Sequence, residues 1–178
     1  MKKLACIAAA LLPTLASAAG LLGTTVDVRY HYDGGTPVST LDSVLVGAGV
    51  ELSCPGAAQI CSILSAPGQA VDIGDSSIRY DYTGAGANFS NVPVNSFDFG
   101  ALFNGAVITG FGVQTNIAGF DASRVSFSAH GLQINMSNVN VNTGAFFQID
   151  LQTTPVPEPA SAALLLGGLA LLAARRRR

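Results

Sequence analysis

The 178-residue sequence has no Trp, three Cys and little charge, with Asp, Glu, Lys and Arg making up 11%. Its nine basic residues are Lys2, Lys3, Arg29, Arg79, Arg124 and Arg175 to Arg178, so six of them fall in the first three or last four positions. Between them, residues 19–154 carry no Lys, three Arg and ten acidic groups, a net charge of −7 where the whole chain sums to −2. Without a lysine this stretch cannot form a phosphate-binding P-loop or a Schiff base. So acidic a body is also a poor partner for a nucleic-acid backbone, and no nucleic acid is expected. There is no His-Glu-x-x-His, no metal-binding cysteine cluster and no Gly-x-Ser-x-Gly elbow. Gly84-x-Gly86 and Gly110-x-Gly112 lack the third glycine and the strand-to-helix setting of a dinucleotide site. No window in residues 19–154 keeps a helical period over three turns.

What is present is alternation. Val26, Val28, Tyr30 and Tyr32 fall on one side of a strand, opposite Asp27, Arg29 and His31, and Asp33-Gly34-Gly35 then signals a turn. Ile78, Tyr80 and Tyr82 alternate with Arg79 and Asp81 before Thr83-Gly84. The pattern returns at Phe97, Phe99 and Ala101, at Val125, Phe127 and Ala129, and at Leu132, Ile134 and Met136. Its phase slips at Ser137-Asn138 ahead of Val139 and Val141, as a tight turn or a bulge would cause. Phe147, Ile149 and Leu151 make a last strand that runs into a proline-rich linker. Short alternating runs separated by Gly, Asn, Ser and Thr predict an all-β domain, an antiparallel β-sandwich of jelly-roll-like form. All nine Phe and all four Tyr lie in this body, enough to fill the space between two sheets. A body of this length can bury a core of its own, and no internal repeat suggests a solenoid.

The body keeps two cysteines, Cys54 and Cys61, with Pro55-Gly56 suited to a chain reversal between them. In an exported protein such a pair is expected to be a structural disulfide, and its spacing is not the Cys-x-x-Cys of a redox site. His31 is expected to face solvent and His130 to sit at a turn. Asp72 and Asp75, with Asp81 nearby, are weak candidates for a Ca²⁺ loop. The blander reading, a solvated acidic turn and no cofactor, is preferred. Tyr30, Tyr32, Tyr80 and Tyr82 are suited to stacking on sugar rings, but their alternation reads as a buried face.

The two ends read as addresses. Lys2 and Lys3, the apolar run Leu4 to Leu12, Pro13, and the small residues Ala16-Ser17-Ala18 form the pattern of a secretory signal peptide. Signal peptidase is expected to cut after Ala18, with Ala19 as the alternative. At the other end Pro155-Val156-Pro157-Glu158-Pro159 is stiff and extended. Residues 160–174 carry no charge and include six Leu and six Ala, and Arg175, Arg176, Arg177 and Arg178 end the chain. As a helix this apolar run reaches about 22 Å, short of a hydrocarbon core of about 30 Å. Snorkelling arginines and the proline-rich entry make up the difference. The arginines should stay cytoplasmic while the signal peptide sends the body outward. The expected organisation is a signal peptide over 1–18, a β-sandwich over 19–154 and, over 155–178, a sorting segment with one short transmembrane helix.

Val156, Pro157, Glu158 and Pro159, followed by the apolar span and the terminal arginines, resemble a PEP-CTERM sorting signal. The same tail is also known as an ice-binding protein C-terminal domain, but the body has no Thr-x-Thr ladder. The resemblance implies an exosortase as processing partner, a transient inner-membrane stage, and delivery to the cell surface or exterior of a Gram-negative bacterium. It further implies company with exopolysaccharide and biofilm-matrix systems. The expected function is therefore a non-enzymatic surface or matrix protein, with no catalytic residues. The alternative is a carbohydrate-binding module or adhesin for extracellular polysaccharide, and an extracellular hydrolase ranks last.

Overall fold

The computed structural model describes residues 20–155. The expected signal peptide with Ala18 and Ala19, and the tail with Val156 to Pro159, the apolar run and Arg175 to Arg178, lie outside the described residues. The strands are β1 Thr25–Asp33, β2 Pro37–Ser39, β3 Asp42–Leu45, β4 Leu52–Cys54, β5 Gln69–Ile73, β6 Ser77–Tyr82 and β7 Ala87–Phe89. They continue with β8 Val94–Gly100, β9 Ala106–Thr115, β10 Val125–Ser128, β11 Gly131–Asn135, β12 Val139–Val141 and β13 Ala145–Pro155. Helix among the described residues is confined to two short 3-10 turns, Gln59–Ser62 and Ala122–Arg124. None of it is long and apolar enough to cross a membrane.

The strands form an antiparallel sandwich, as the alternation predicted. One sheet runs β10-β11-β8-β1, with β2 and β3 lying end to end along the far edge of β1. The other runs β4-β5-β6-β13-β9. β7 and β12 pair separately, Phe89 opposite Val139. The chain passes repeatedly between sheets, as a jelly-roll-like fold requires, while β4-β5-β6 and β10-β11 stay as local hairpins.

The two inner faces meet through aromatic rings. Phe120 stacks on Phe147 at 4.7 Å, and Phe147 on Tyr80 at 5.2 Å. Tyr80 reaches across to Phe97 of the opposite sheet at 5.8 Å, and Phe97 meets Tyr30 edge-on at 4.8 Å. Every ring in this series is buried. Branched aliphatics pack around them, with Val26, Val28, Ile73, Ile78, Ile134 and Ile149 all fully enclosed. Such rings supply most of the apolar area that one side chain can hide, and each edge-on or offset pair adds to it. At the open side of the sandwich the Ile108 N–H donates to the Ala129 carbonyl at 2.9 Å, which ties β9 to the β10–β11 turn.

Two expectations change, and a third is made specific. Ala101 does not extend β8: its φ is +58°, and Phe103 follows at +57°. This left-handed path tucks Leu102 and Phe103 into the core. The ring Nδ1 of His130 lies 3.1 Å from each of their carbonyl oxygens. With only carbonyls as partners that nitrogen carries the proton and donates, so His130 holds a strained loop in place. Phe127 is 43% exposed although Val125 of the same strand is buried. β10 is an edge strand, and Phe127 leans edge-on against Phe111 at 5.7 Å instead of entering the core. The phase slip after Met136 is a tight turn, with Asn138 at φ +60° and the Val139 N–H donating to the Met136 carbonyl. It releases the chain from β11 into β12.

Phe97 sits where both sheets converge, so Phe97→Ala is expected to lower unfolding free energy by about 3–5 kcal/mol. Urea denaturation followed by tyrosine fluorescence measures it. A loss below about 1 kcal/mol would show that the ring series is not the centre of the core.

Candidate functional site

A half-open cavity of about 260 Å³, with both polar and apolar lining, lies at one end of the sandwich. Its floor consists of buried side chains, among them Tyr30, Gln69, Phe89 and Asn95. Its rim is half-buried or exposed and includes Tyr32, Ser65, Asn88 and Ser90. No charged side chain lines it.

The floor exists because buried phenols need partners. Tyr30 is only 2% exposed, and its hydroxyl donates to Asn95 Oδ1. Tyr80 is 1% exposed, and its hydroxyl donates to Gln69 Oε1 at 3.0 Å. The amides are themselves anchored: Asn95 Nδ2 donates to the Ser90 carbonyl and Gln69 Nε2 to the Ala66 carbonyl, each at 3.0 Å. Each amide nitrogen has two N–H groups, so each retains one beyond its single protein acceptor. Burial raises the pKa of both phenols well above the usual tyrosine range. For Tyr30 the neighbouring Tyr80 and Tyr32 phenols add to this effect, and for Tyr80 the Tyr82 phenol does.

One wall, residues 63–66, follows the 3-10 turn Gln59–Ser62 and is fastened from two sides. The disulfide Cys54–Cys61 joins that turn to the end of β4 across a sequence separation of 7. The carboxylate of Asp42 accepts from the N–H groups of Gln59 and Ile60 at 2.7 and 2.8 Å. Ile60 and Leu64 then point inward and are buried. The disulfide was expected from the sequence; the role of Asp42 was not, since nothing local marks a carboxylate 17 residues away as the cap.

The other sequence candidates are placed elsewhere. Asp72 lies on β5 opposite Arg79 of β6, so it is a strand residue and not part of a loop. Asp75 is in the β5–β6 turn, where its Oδ1 accepts from the Leu22 N–H at 3.2 Å and its carbonyl accepts from the Leu21 N–H at 2.8 Å. It anchors the start of the described chain. Among the described residues no three His, Cys, Asp or Glu side chains converge as metal ligands. Tyr30, Tyr80 and Tyr82 are core, as their alternation suggested, whereas Tyr32 is half-buried at the cavity rim. His31 is not free in solvent: its Nε2 lies 3.1 Å from Asp98 on the neighbouring strand. His130, at its turn as expected, borders a larger depression of about 550 Å³ with Thr24 and Phe103. That depression has no buried amide, and Thr24 Oγ1 is committed to the Leu21 carbonyl.

Two outcomes follow from these bonds. Unfolded tyrosines lose their protons from about pH 10, while Tyr30 and Tyr80 keep theirs in the fold. The unfolded state then binds fewer protons, so stability present below pH 10 is lost as pH rises, by about 1.4 kcal/mol per pH unit per tyrosine. Urea titrations at pH 9 and 11 read this slope, and Tyr80→Phe should reduce it by about half. Replacing Cys54 and Cys61 by serine should cost about 2–3 kcal/mol through the freed loop. Thermal melts of oxidised, reduced and Cys-free protein measure that loss, and equal melts would overturn it.

The comparisons with known proteins bear on the tail. Residues 155–178 match the family model of the PEP-CTERM protein-sorting motif. No curated protein and no solved structure matches the chain. The match begins at Pro155, the final residue of β13, so the motif starts where the sandwich ends. The chain thus carries a PEP-CTERM protein-sorting motif at residues 155–178, which implies an exosortase as processing partner and the cell envelope or surface as destination.

Proposed function

We propose that this protein is a non-enzymatic component of the cell surface or extracellular matrix, working with secreted polysaccharide and needing no cofactor. The observation that carries the reading is the sorting motif joined directly to the last strand of a β-sandwich. Cutting after that point would free the body with every strand intact. The chemistry of the body is consistent with this role. Its histidines, the groups best suited to proton transfer near neutral pH, are engaged with Asp98 and with the carbonyls of Leu102 and Phe103. Its sole strong side-chain ion pair among the described residues, Arg79 with Asp81 at 2.7 Å, lies on an outer sheet face beneath the Phe146 ring.

Within the motif, Pro157 and Pro159 would present an extended backbone to the exosortase, Glu158 the lone charge at the membrane edge, and Arg175 to Arg178 the orientation. A second reading, a carbohydrate-binding module or adhesin, is favoured by one observation, the uncharged cavity with its unused amide N–H groups.

Replacing Pro157, Glu158 and Pro159 by alanine is expected to leave the precursor in the membrane fraction. Cell fractionation with immunoblotting reads the outcome, and release at the wild-type level would overturn the sorting role assigned to these residues.

A further inference from the structure

The chemistry of the cavity narrows what can enter it. An ion would have to give up water among neutral groups with no counter-charge, which costs several kcal/mol. An anion would also face the field of a body carrying ten acidic groups and three arginines. A purely apolar guest would cover the remaining N–H groups of Asn95 and Gln69 and leave them without acceptors, at a cost of about 1–3 kcal/mol each. The occupant that satisfies both limits is neutral, rich in acceptors, and able to lay an apolar face on an aromatic ring. The volume, about 260 Å³, lies just below the range of about 300–1,000 Å³ typical for drug-sized ligands, which suits a single small ring.

Much of what would touch such a guest is already held. Tyr32 lies against the turn after β1, where a Cβ added to Gly34 would fall 2.5 Å from the Tyr32 hydroxyl oxygen. The wall at 63–66 is fixed by the disulfide and by Asp42. The two amides are fixed by their phenol and carbonyl partners. A site built this way loses little freedom when it is filled.

We propose that this cavity is a binding subsite for one neutral hexopyranose ring. Asn95 and Gln69 donate to ring hydroxyls from the floor, Tyr32 meets the apolar face of the sugar, and Ser65 and Ser90 contact the outward hydroxyls. The proposal rests on the second reading above and deepens it. It does not depend on the sorting of the tail, because binding is measured on purified protein.

The test uses the full chain in a sugar-free detergent, titrated with the methyl pyranosides of glucose, galactose and mannose, and with glucuronate as a charged control. Saturation-transfer NMR and calorimetry read binding. At least one neutral pyranoside should saturate with Kd on the order of 1 mM, and glucuronate should bind at least about tenfold more weakly. Ser65→Trp, placed on the exposed rim to fill the mouth, should raise Kd at least about tenfold with an unchanged thermal midpoint. Should that variant fold poorly, Asn88→Trp on the opposite rim takes its place. Lack of saturation by every neutral pyranoside up to about 50 mM, equal binding of glucuronate, or undiminished binding with the mouth filled would each overturn the subsite. A protein that binds no pyranoside and is still released from cells would leave the sorting role standing while removing this one.

Discussion

The contact of Tyr80 with Phe97 is the point on which the sandwich depends, because it is where a ring of one sheet meets a ring of the other at 5.8 Å. A chain with no Trp must close its inter-sheet space with smaller rings. It does so by aligning Phe120, Phe147, Tyr80, Phe97 and Tyr30 in series. Two of the five carry a hydroxyl that cannot be left dry. The core therefore brings polar obligations with it, met by Asn95 and Gln69 at the ends of β8 and β5. Those amides sit at the edge of the packed zone, and the space beside them is the cavity. The candidate site is in this sense a by-product of building a core from tyrosine.

The same economy governs the polar groups outside the core. With three arginines and no lysine in the body, acidic side chains find few cations. They serve as backbone acceptors instead. Asp42 caps the turn at Gln59, Asp75 takes the Leu22 N–H, and Glu51 accepts from Gly47 and Ile73. Asp121 accepts from the Ser123 hydroxyl and N–H, and those bonds hold its pKa below the usual carboxylate range. Asp42 and Asp75 join segments that no strand pairing connects, Glu51 extends the pairing of β4 with β5, and Asp121 holds its own turn. Of the carboxylates that look like a metal loop in sequence, Asp75 is in the fold a tie between segments, while Asp72 and Asp81 are strand residues.

Several strands with one buried face were legible, but β5, with Gln69, Val71 and Ile73 buried, was not. β1, β6 and β13 show strict alternation because their inner residues enter a core and their outer residues meet water. β2 and β3 were not, since Pro37–Ser39 is exposed throughout and Asp42–Leu45 only half-covered. An edge strand that buries nothing leaves no hydrophobic period to read. Phe127 misled for a related reason: alternation gives the phase of a strand but not whether a second layer lies over it. The disulfide was legible from spacing and compartment. The cavity was not, because Tyr32, Ser65, Gln69, Asn88 and Asn95 come from separate segments that only the tertiary fold assembles.

The position of β13 bears on how the tail can be processed. It is the last of the described strands, yet it lies inside its sheet between β6 and β9. The sheet cannot close until β13 has been delivered, and the match to the sorting motif begins at its final residue. Five residues of extended chain span at most about 18 Å, so the stretch from Pro155 to Ala160 gives a folded sandwich little distance from an enzyme acting at the PEP sequence. Pairing of β13 with both neighbours, including Thr154 with Val107 and Pro155 with Ala106, reduces that slack further. Because the match to the sorting motif begins at the final residue of β13, the β9 edge of the sandwich, which pairs with β13 as far as Pro155, is the part of the fold nearest the motif. Processing before β13 docks would act on a chain whose second sheet is still split, and processing afterwards would act beside a closed one.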